Sequence, residues 1–234
     1  MKKFIAIAGN IAVGKSTLVQ MLCERLDWEP FFEGADLPAS KRTRKAGSKR
    51  SARREVAAVE SPYLADFYKD MKAWAFHSQL FFLSRRLRDL RRLMDFPGVV
   101  VQDRSVYEDA EIFAKNLYRQ GYIAERDWKT YRELYEVLTE LLPPPDLVVY
   151  LNASVRTLLH RIAQRGREYE KNIAPDYLAQ LNVLYDEWIA DFKLCPVLIV
   201  PADRLDFVAN GKHMDLIVQK IEEKLRGEQL VMFE

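Results

Sequence analysis

Cysteine and histidine are scarce in this chain of 234 residues, which has two of the first and three of the second. Cys23 and Cys195 lie far apart in apolar or helical surroundings without a pairing pattern, so they indicate reduced thiols and a reducing compartment. His77, His160 and His213 show no metal-ligand spacing, and we interpret them as surface or packing residues. The scarcity argues against a disulfide-stapled secreted domain and against a histidine metal site.

Long hydrophobic runs and internal repeats are also missing. No segment reaches transmembrane length without charges, so we expect a protein without a membrane partner. The apolar stretch after Met1 is short and runs directly into Gly9 and Lys15, unlike a signal peptide. The sequence therefore predicts a cytoplasmic protein, and its length fits a single domain over residues 1–234.

Charge of one sign is in excess at only one place. The net charge is +2, but residues 41–54 hold eight Lys or Arg and no acid, so the remainder of the chain is net negative. This basic insertion, at about 35–58, has little apolar surface and is either a solvated loop or a frayed basic helix. The imbalance is local and does not predict a protein that coats nucleic acid.

Short buried-type apolar runs alternate with helical patterns along the chain. The runs are at 4–8, 98–102, 146–151 and 196–200, and helical periodicity occupies 66–94, 125–142 and 155–164. Alternation of this kind predicts an α/β fold with a parallel sheet covered on both faces.

A complete phosphate-binding loop follows the first strand. The G-x-x-x-x-G-K-[ST] pattern is satisfied between a predicted strand and a predicted helix. Backbone N–H groups of such a loop cradle phosphates at a helix N-terminus, the Lys reaches the β and γ phosphates, and the Ser holds Mg²⁺. The alternative is a turn that binds nothing, and the loop alone does not reveal the acceptor. The predicted ATP-binding residues are Gly9, Asn10, Ile11, Ala12, Val13, Gly14, Lys15, Ser16 and Thr17.

Four further blocks follow in order: Trp-Glu-Pro-Phe-Phe-Glu at 28–33, Ser-Pro-Tyr-Leu at 61–64 with helices to residue 86, Asp-Arg-Ser-Val-Tyr at 103–107, and an Arg-rich segment at 161–167. Together with the phosphate loop they resemble the deoxynucleoside kinase family, which moves the γ-phosphoryl of ATP to a deoxynucleoside 5′-hydroxyl. The resemblance implies a P-loop kinase fold with a parallel five-stranded sheet flanked by helices on both faces. It also implies ATP and Mg²⁺ as cofactors, and a homodimer.

Polar residues at two predicted strand ends are the candidates for catalysis. Glu33 closes the second strand, where a carboxylate could orient the 5′-hydroxyl and accept its proton. Arg104 could stabilise developing negative charge beside Lys15, and Asp103 could support Mg²⁺ together with Ser16. The alternatives are an ordinary surface Glu and an Asp–Arg pair that caps the next helix.

A cluster of arginines marks a predicted lid at about 161–172. Arg161, Arg165 and Arg167 form a plausible clamp for the transferring phosphoryl group, although a solvated cationic helix end is the alternative. The segment with Asp206 and Phe207 resembles the loop that wraps the ATP adenine.

The acceptor site is assigned by the resemblance. It places Tyr68 and Glu170 at the sugar 3′-hydroxyl, Gln79 at the base edge and Phe113 in a stack on the base. The pair Arg86 and Asp109 resembles that of members preferring purine deoxynucleosides or deoxycytidine, which implies deoxyadenosine and deoxyguanosine as substrates. The alternative for this pair is a plain salt bridge between helices.

The chain departs from the family pattern directly after Glu33, where Gly34 and the basic insertion replace a short loop. The insertion could be disordered, which its composition favours, could dock on an acidic partner, or could reflect an altered reading frame. Two rival functions remain open. One is a kinase for thymidine, deoxycytidine or a nucleoside monophosphate, and the other is an ATPase stimulated by nucleic acid through residues 41–54.

Overall fold

Strands and helices alternate through the computed structural model of this protein, in which residues 2–32 and 61–227 are described. The strands are β1 Lys3–Gly9, β2 Glu29–Phe31, β3 Val99–Asp103, β4 Leu147–Asn152 and β5 Val197–Pro201. The helices in the first half of the chain are α1 Lys15–Leu26, α2 Leu64–Lys69, α3 Met71–Asp95, α4 Val106–Glu108 and α5 Lys115–Arg119. Those in the second half are α6 Glu125–Glu140, α7 Val155–Arg165, α8 Pro175–Asp191 and α9 Gly211–Leu225. A π-helical segment, Asp109–Ala114, joins α4 to α5, and a 3₁₀ turn, Glu168–Glu170, follows α7.

The five strands form one parallel sheet in the order β2-β3-β1-β4-β5. This confirms the predicted α/β fold with its five-stranded sheet. The chain moves to one side of β1 for β2 and β3 and to the other side for β4 and β5. The direction reverses at β1, and open α/β sheets bind their ligands at such a switch point, beyond the carboxyl ends of the strands.

The central strands are buried on both faces. Ile5, Ala6, Ile7 and Ala8 of β1 are all fully buried, although successive side chains of a strand point to opposite faces. Residues 147–151 of β4 are buried in the same way. Helix α1 contacts β1, β2 and β3, and its neighbour α9, linked to it by the Arg25–Asp215 ion pair, contacts β4 and β5. Helix α8 packs on β4, where Tyr185 stacks on Tyr150. Because residues that point to opposite faces of the sheet are buried alike, both faces are covered, as the continuous apolar runs predict.

A second hydrophobic cluster holds together the helices that follow β2 and β3. Leu83 of α3, Leu117 of α5 and Tyr131 of α6 are buried in it. Trp188 and Phe192 pack against both this cluster and the core around the sheet. The helices that carry the predicted acceptor residues are thereby anchored to the sheet.

One predicted helix is divided in two. The helical pattern over 66–94 predicts a continuous helix, but Asp70, with φ −145° and ψ 86°, separates α2 from α3. The Asp70 carboxylate accepts the N–H of Ala73 at 3.0 Å and caps α3, while its own N–H donates to Asp66 O and closes α2. The N-cap preference of Asp outweighs the helical periodicity around it.

Two predictions fall on residues that the structure does not describe. Glu33 and the basic insertion at about 35–58 both lie outside the described residues. Among the residues that are described, no helix has the length and apolar character needed to cross a membrane.

Candidate active site

The turn between β1 and α1 depends on two glycines. Gly9 has φ 143°, and a Cβ on it would lie 2.6 Å from Leu151 O and 2.9 Å from Cγ1 of Val13. Gly14, the residue before α1, has φ 110°. An L side chain at either position would be strained, and at Gly9 it would also collide with β4. The glycines of the motif are thus required by the backbone, and the loop ends at the N-terminus of α1.

The cation and the hydroxyl of the loop are held in place. Lys15, which is buried, donates from Nζ to Gly9 O at 2.8 Å and to Asn10 O at 3.0 Å. The Ser16 hydroxyl donates to Oδ2 of Asp103 at 2.5 Å. Two hard oxygen ligands, from β3 and from the loop, therefore lie side by side at the carboxyl edge of the sheet.

The loop is braced from behind by α8. Nδ2 of Asn10 donates to Leu178 O at 3.0 Å and to Oδ1 of Asn182 at 2.7 Å, while its own Oδ1 accepts the N–H of Ile11 at 2.7 Å. The Asn182 amide in turn donates to Ala153 O, directly before α7. Asn10 is buried and serves the shape of the loop rather than lining the site.

Arg104 emerges from the end of β3 in an unusual backbone conformation. Its φ is 64°, its N–H donates to Ile7 O at 3.1 Å, and its guanidinium lies 4.2 Å from the ring centroid of Phe113. Burial raises the pKa of the nearby Tyr177 to about 12, and the charge of Arg104 opposes that shift. At neutral pH the Tyr177 hydroxyl is therefore protonated beside a cation.

The arginines of the predicted lid reach toward the loop. Arg161 donates from Nη1 to Val13 O at 2.5 Å and from Nη2 to Ala202 O at 3.0 Å. Arg165 forms a bidentate pair with the buried carboxylate of Glu170, with Nε–Oε2 at 3.0 Å and Nη2–Oε1 at 2.6 Å. Arg167 lies 3.4 Å from the same carboxylate. The carboxylate of Glu170, which is predicted to bind the sugar, thus also pairs with Arg165 and Arg167 of the predicted lid.

The segment after β5 packs against the phosphate loop. Phe207 is buried, and a Cβ on Gly14 would lie 3.3 Å from its ring. Oδ1 of Asp206 accepts the N–H groups of Val208 at 3.1 Å and Ala209 at 2.9 Å, which shapes the turn. The segment is well placed to border a nucleotide seated on the loop.

The predicted acceptor residues converge from three helices. Tyr68 comes from α2, Gln79 and Arg86 from α3, and Asp109 and Phe113 from the π-helical segment. Nε of Arg86 donates to Oδ2 of Asp109 at 2.9 Å, and both side chains are buried. Oε1 of the buried Gln79 has no hydrogen-bond partner among the described residues. A buried acceptor of this kind suits a ligand donor, since burial without one is costly.

One cavity of about 930 Å³ extends from the phosphate loop to the predicted acceptor residues. Arg86 and Asp103 do not line it, but they contact Asp109 and Ser16, which do. Gly9, Asn10 and Val13 of the phosphate loop do not line it either. Most of the predicted site residues in the described part of the chain line it: Ile11, Ala12, Gly14, Lys15, Ser16, Thr17, Tyr68, Gln79, Arg104, Asp109, Phe113, Arg161, Arg165, Arg167, Glu170, Asp206 and Phe207.

Two buried residues beneath the loop are absent from the sequence predictions. Glu108 accepts the N–H of Gly9, and the Tyr185 hydroxyl lies between Glu108 and Gly9 O. The Ser-x-x-Glu spacing from Ser105 to Glu108 is that of a capping box, which is a local signal. Tyr185 has no local signal, because it is 176 residues from Gly9 in sequence.

The fold and this site together define a P-loop kinase of small molecules, because a phosphate loop and an acceptor pocket share one cavity. Residues 5–226 match the family described as deoxynucleoside kinase. The chain belongs to that family, whose members are ATP-dependent phosphotransferases.

Similar proteins cover nearly the whole chain. The deoxyadenosine/deoxycytidine kinase of Bacillus subtilis (strain 168) is 34% identical over 96% of this chain and 94% of its own length. The deoxyguanosine kinase of the same organism is 32% identical over 94% and 96%. The solved structure of M. mycoides deoxyadenosine kinase with dCMP and dCDP has a TM-score of 0.74, at 29% identity over 95% of this chain and 100% of that one. The same enzyme with dATP has a TM-score of 0.71.

Proposed function

We propose that this enzyme phosphorylates purine deoxynucleosides, deoxyadenosine and deoxyguanosine, at the 5′-hydroxyl in nucleotide salvage. The observation that carries the proposal is the single cavity that the phosphate loop shares with Gln79, Asp109 and Phe113. Its volume suits an acceptor of nucleoside size beside a triphosphate tail. Relatives named for deoxyadenosine and deoxyguanosine support the purine class.

The cationic residues of the cavity would bind and activate the triphosphate. The loop N–H groups and Lys15 would hold the β and γ phosphates. Arg161, Arg165 and Arg167, on a lid at about 161–172, would neutralise the charge on the transferring group and exclude water. Arg104, fixed over Phe113, would act on the acceptor side of the γ-phosphate. Glu33 would accept the 5′-hydroxyl proton, since the neighbouring strand β2 ends at the same sheet edge.

Mg²⁺ fits the donor set at the carboxyl edge of the sheet. The Ser16 hydroxyl would hold the ion directly, and Asp103, 2.5 Å from that hydroxyl, would support it through water. The described residues contain no group of three or more His, Cys, Asp or Glu that could hold a metal by themselves. The remaining ligands would be phosphate oxygens and water, and the bound ion would neutralise charge on the β and γ phosphates.

The acceptor would be read at its base and at its sugar. Phe113 would stack on the base, and Oε1 of Gln79 would accept a hydrogen bond from its edge. Asp109, held by Arg86, would accept from an exocyclic amino group and disfavour the carbonyl that thymine presents there. Tyr68 and Glu170 would bind the 3′-hydroxyl, and α2 contacts the turn that carries Glu170.

Deoxycytidine is a second candidate acceptor. One relative is named for both deoxyadenosine and deoxycytidine, and the M. mycoides deoxyadenosine kinase has been solved with dCMP. Adenine and cytosine share an amino donor beside a ring-nitrogen acceptor, which an amide and a carboxylate can read alike.

A panel of deoxyadenosine, deoxyguanosine, deoxycytidine and thymidine with labelled ATP and Mg²⁺ tests this proposal. We expect kcat/KM for a purine deoxynucleoside to exceed that for thymidine by about 100-fold, because an unpaired buried polar group rejects the wrong base.

Glu33→Gln should lower kcat by about 10²–10⁴-fold, the range of a general base, whereas the matched change Glu29→Gln on β2 should not. A preference for thymidine would refute the purine assignment, and ATP hydrolysis stimulated by DNA would favour the ATPase alternative.

We also propose a homodimer. Apolar residues are exposed along one side of two helices that contact each other. They are Leu87 and Met94 on α3, Leu134 and Val137 on α6, and Leu141 at the C-cap of α6. Their spacing of three, four and seven residues places them on one face of each helix. An apolar face of this kind suits a second copy of the chain, packed helix against helix.

A reducing cytoplasmic location completes the proposal. Cys23 is buried and Cys195 is half-buried, and neither cysteine forms a disulfide. Burial raises the pKa of Cys195 to about 11, so it is an unreactive thiol at neutral pH. Two cysteines outside disulfides suit a compartment that keeps thiols reduced.

A further inference from the structure

A carboxylate lies buried directly beneath the phosphate loop. Glu108, at the end of α4, is fully buried. Its Oε1 accepts the N–H of Gly9 at 3.1 Å and the Tyr185 hydroxyl at 2.8 Å, and its Oε2 accepts the N–H of Ser105 at 2.9 Å with the Ser105 hydroxyl at 3.4 Å. Four donors from three parts of the chain thus point at one carboxyl group.

Gly9 is held at both of its backbone polar groups. Its N–H donates to Glu108, and its carbonyl oxygen accepts from the Tyr185 hydroxyl and from Nζ of Lys15, each at 2.8 Å. Tyr185 is fully buried on α8, and burial together with the nearby Glu108 carboxylate raises its pKa well above the usual value. The hydroxyl therefore stays protonated and can share its hydrogen between the two acceptors.

These contacts join the two halves of the cavity at one point. Gly9 is the last residue of β1 and the first of the phosphate loop. Ser105 follows Arg104, and Glu108 precedes Asp109, so the same carboxylate is bonded to the loop and to the segment that carries acceptor-side residues. A shift of Glu108 would move the loop relative to Arg104 and Asp109.

We infer that Glu108 and Tyr185 are positioning residues, which form a buried clamp on Gly9 and set the aim of the γ-phosphate toward the acceptor. Neither side chain lines the cavity, so both act through the loop and not on the substrates. This inference rests on the proposed function, because it assumes that the loop holds ATP. A carboxylate is needed since its two oxygens accept from four donors, whereas a Gln amide would turn an N–H₂ group toward one of them.

The clamp predicts a kinetic pattern that a purely structural cap would not produce. Glu108→Gln and Tyr185→Phe should each lower kcat by about 10–100-fold, the cost of a misplaced reacting group, and raise KM for ATP. KM for the deoxynucleoside should change by less than about 3-fold, because the groups facing the nucleoside are unaltered. A substitution that only destabilised the fold would lower the amount of active enzyme without separating the two KM values.

The two substitutions should also be coupled. Both act on Gly9 through one network, so the double variant should lose little more kcat than the worse single variant, whereas independent effects would multiply. Tyr150→Phe is the matched control. Tyr150 is buried and stacks on Tyr185 with ring centroids 5.5 Å apart, but its hydroxyl donates to Asp186 and not to Gly9. It should retain wild-type kcat and both KM values.

The measurements are steady-state kinetics with each substrate varied, and ATP titration calorimetry on folded protein checked by thermal unfolding. Wild-type kinetics in both variants, equal losses for both substrates, or full additivity would each overturn the inference. If Glu108→Gln does not fold, Tyr185→Phe decides, and failure of both to fold would assign the pair to stability alone. Absence of phosphorylation by the wild-type enzyme would instead refute the proposed function, so the two failures are distinguishable.

Discussion

At Arg104 the backbone adopts a left-handed conformation that side chains other than glycine seldom occupy. Its φ of 64° costs about 1–3 kcal/mol for a non-glycine residue, and the surrounding structure must compensate. The N–H bond to Ile7 O and the 4.2 Å approach of the guanidinium to Phe113 supply that support. Glycine would relax the backbone but would remove the guanidinium. Strain here accompanies a side chain aimed into the cavity, where we propose that it acts on the acceptor side of the phosphate.

Gln79 offers a prediction in which stability and function move in opposite directions. Gln79→Leu keeps the side-chain size but removes the buried Oε1, which has no partner among the described residues. We expect the free energy of unfolding of the unliganded enzyme to rise by up to about 1–3 kcal/mol, the penalty of an unsatisfied buried group. KM for deoxyadenosine should rise about 10-fold or more while KM for ATP stays constant.

Denaturant unfolding and two-substrate kinetics check this prediction. Gln219→Leu is the matched control, because Gln219 lies on α9, away from the cavity, and its amide donates to Glu223. The control should leave both KM values unchanged. A Gln79→Leu enzyme with unaltered deoxyadenosine KM would show that the amide does not read the base.

Residue-scale prediction succeeded where the signal is local. The sequence predicts the loop from Gly9 to Ser16 with its strand and helix, because its glycines and its Lys occupy fixed places in a short motif, and the structure confirms both elements. The roles assigned to Glu33, Arg104 and Asp109 stay predictions, although the last two line the cavity. The sequence does not indicate that Glu108 and Tyr185 bond to Gly9, because these contacts span 99 and 176 residues.

Helix α7 is the element that connects the segment after β5 to the predicted lid. Ser154 caps α7 with its side chain, and the carboxylate of Asp203 accepts the Ser154 N–H at 2.9 Å. Burial raises the pKa of Asp203. Hydrogen bonds from Thr157 and Ser154 and the charge of Arg161 lower it by a larger amount, so the pKa of Asp203 lies below its usual value. The segment after β5 therefore holds the N-terminus of the helix that carries the lid arginines.

Asp203→Ala should destabilise the unliganded enzyme by about 1 kcal/mol at neutral pH, the usual contribution of a carboxylate at a helix N-terminus. The folded-state pKa is depressed, so this stability is present above the unfolded pKa and is lost as pH falls through the folded value. The difference between wild type and variant should therefore shrink below about pH 4. Urea unfolding from pH 7 to pH 3 measures it, and a difference that grows toward acid pH would contradict the assignment.

Helices α2 and α3 show what a periodic pattern cannot predict about an element. Periodicity over 66–94 predicts one helix, yet Asp70 ends α2 and caps α3. The apolar spacing continues across the break because both helices bury residues in the same cluster, for example Phe67 and Leu83. A periodic pattern records which face is buried, and it does not record whether the backbone is continuous.

At the scale of the whole molecule, the exposed apolar face on α3 and α6 carries a prediction about assembly. Val137, 57% exposed in the middle of that face on α6, should be buried in the proposed homodimer. Val137→Glu should shift the enzyme from dimer to monomer, because a charge would be buried without a partner at the interface. Light scattering coupled to size exclusion measures the mass.

Val208→Glu is the control for this experiment. Val208 is 65% exposed but belongs to the segment after β5 and not to the apolar face on α3 and α6, so the dimer should persist. A wild-type protein that is monomeric at micromolar concentration would refute the proposed homodimer directly.

The sequence by itself determined the class of fold, the phosphate loop and the membership of the deoxynucleoside kinase family. Each of these depends on short-range patterns: apolar runs that alternate with helical periodicity, and motifs whose residues are neighbours along the chain. The five-stranded parallel sheet follows from the family resemblance, and the structure agrees, whereas the strand order β2-β3-β1-β4-β5 comes from the structure.

The tertiary structure alone decided how the two halves of the site are joined. It placed Gln79 and Asp109 in one cavity with the loop, it paired Asp109 with the buried Arg86, and it buried Glu108 and Tyr185 against Gly9. The reason is physical, because a hydrogen bond depends on distances of about 3 Å in space and not on separation in sequence. Contacts between residues 99 or more positions apart exist only once the sheet and α8 have packed.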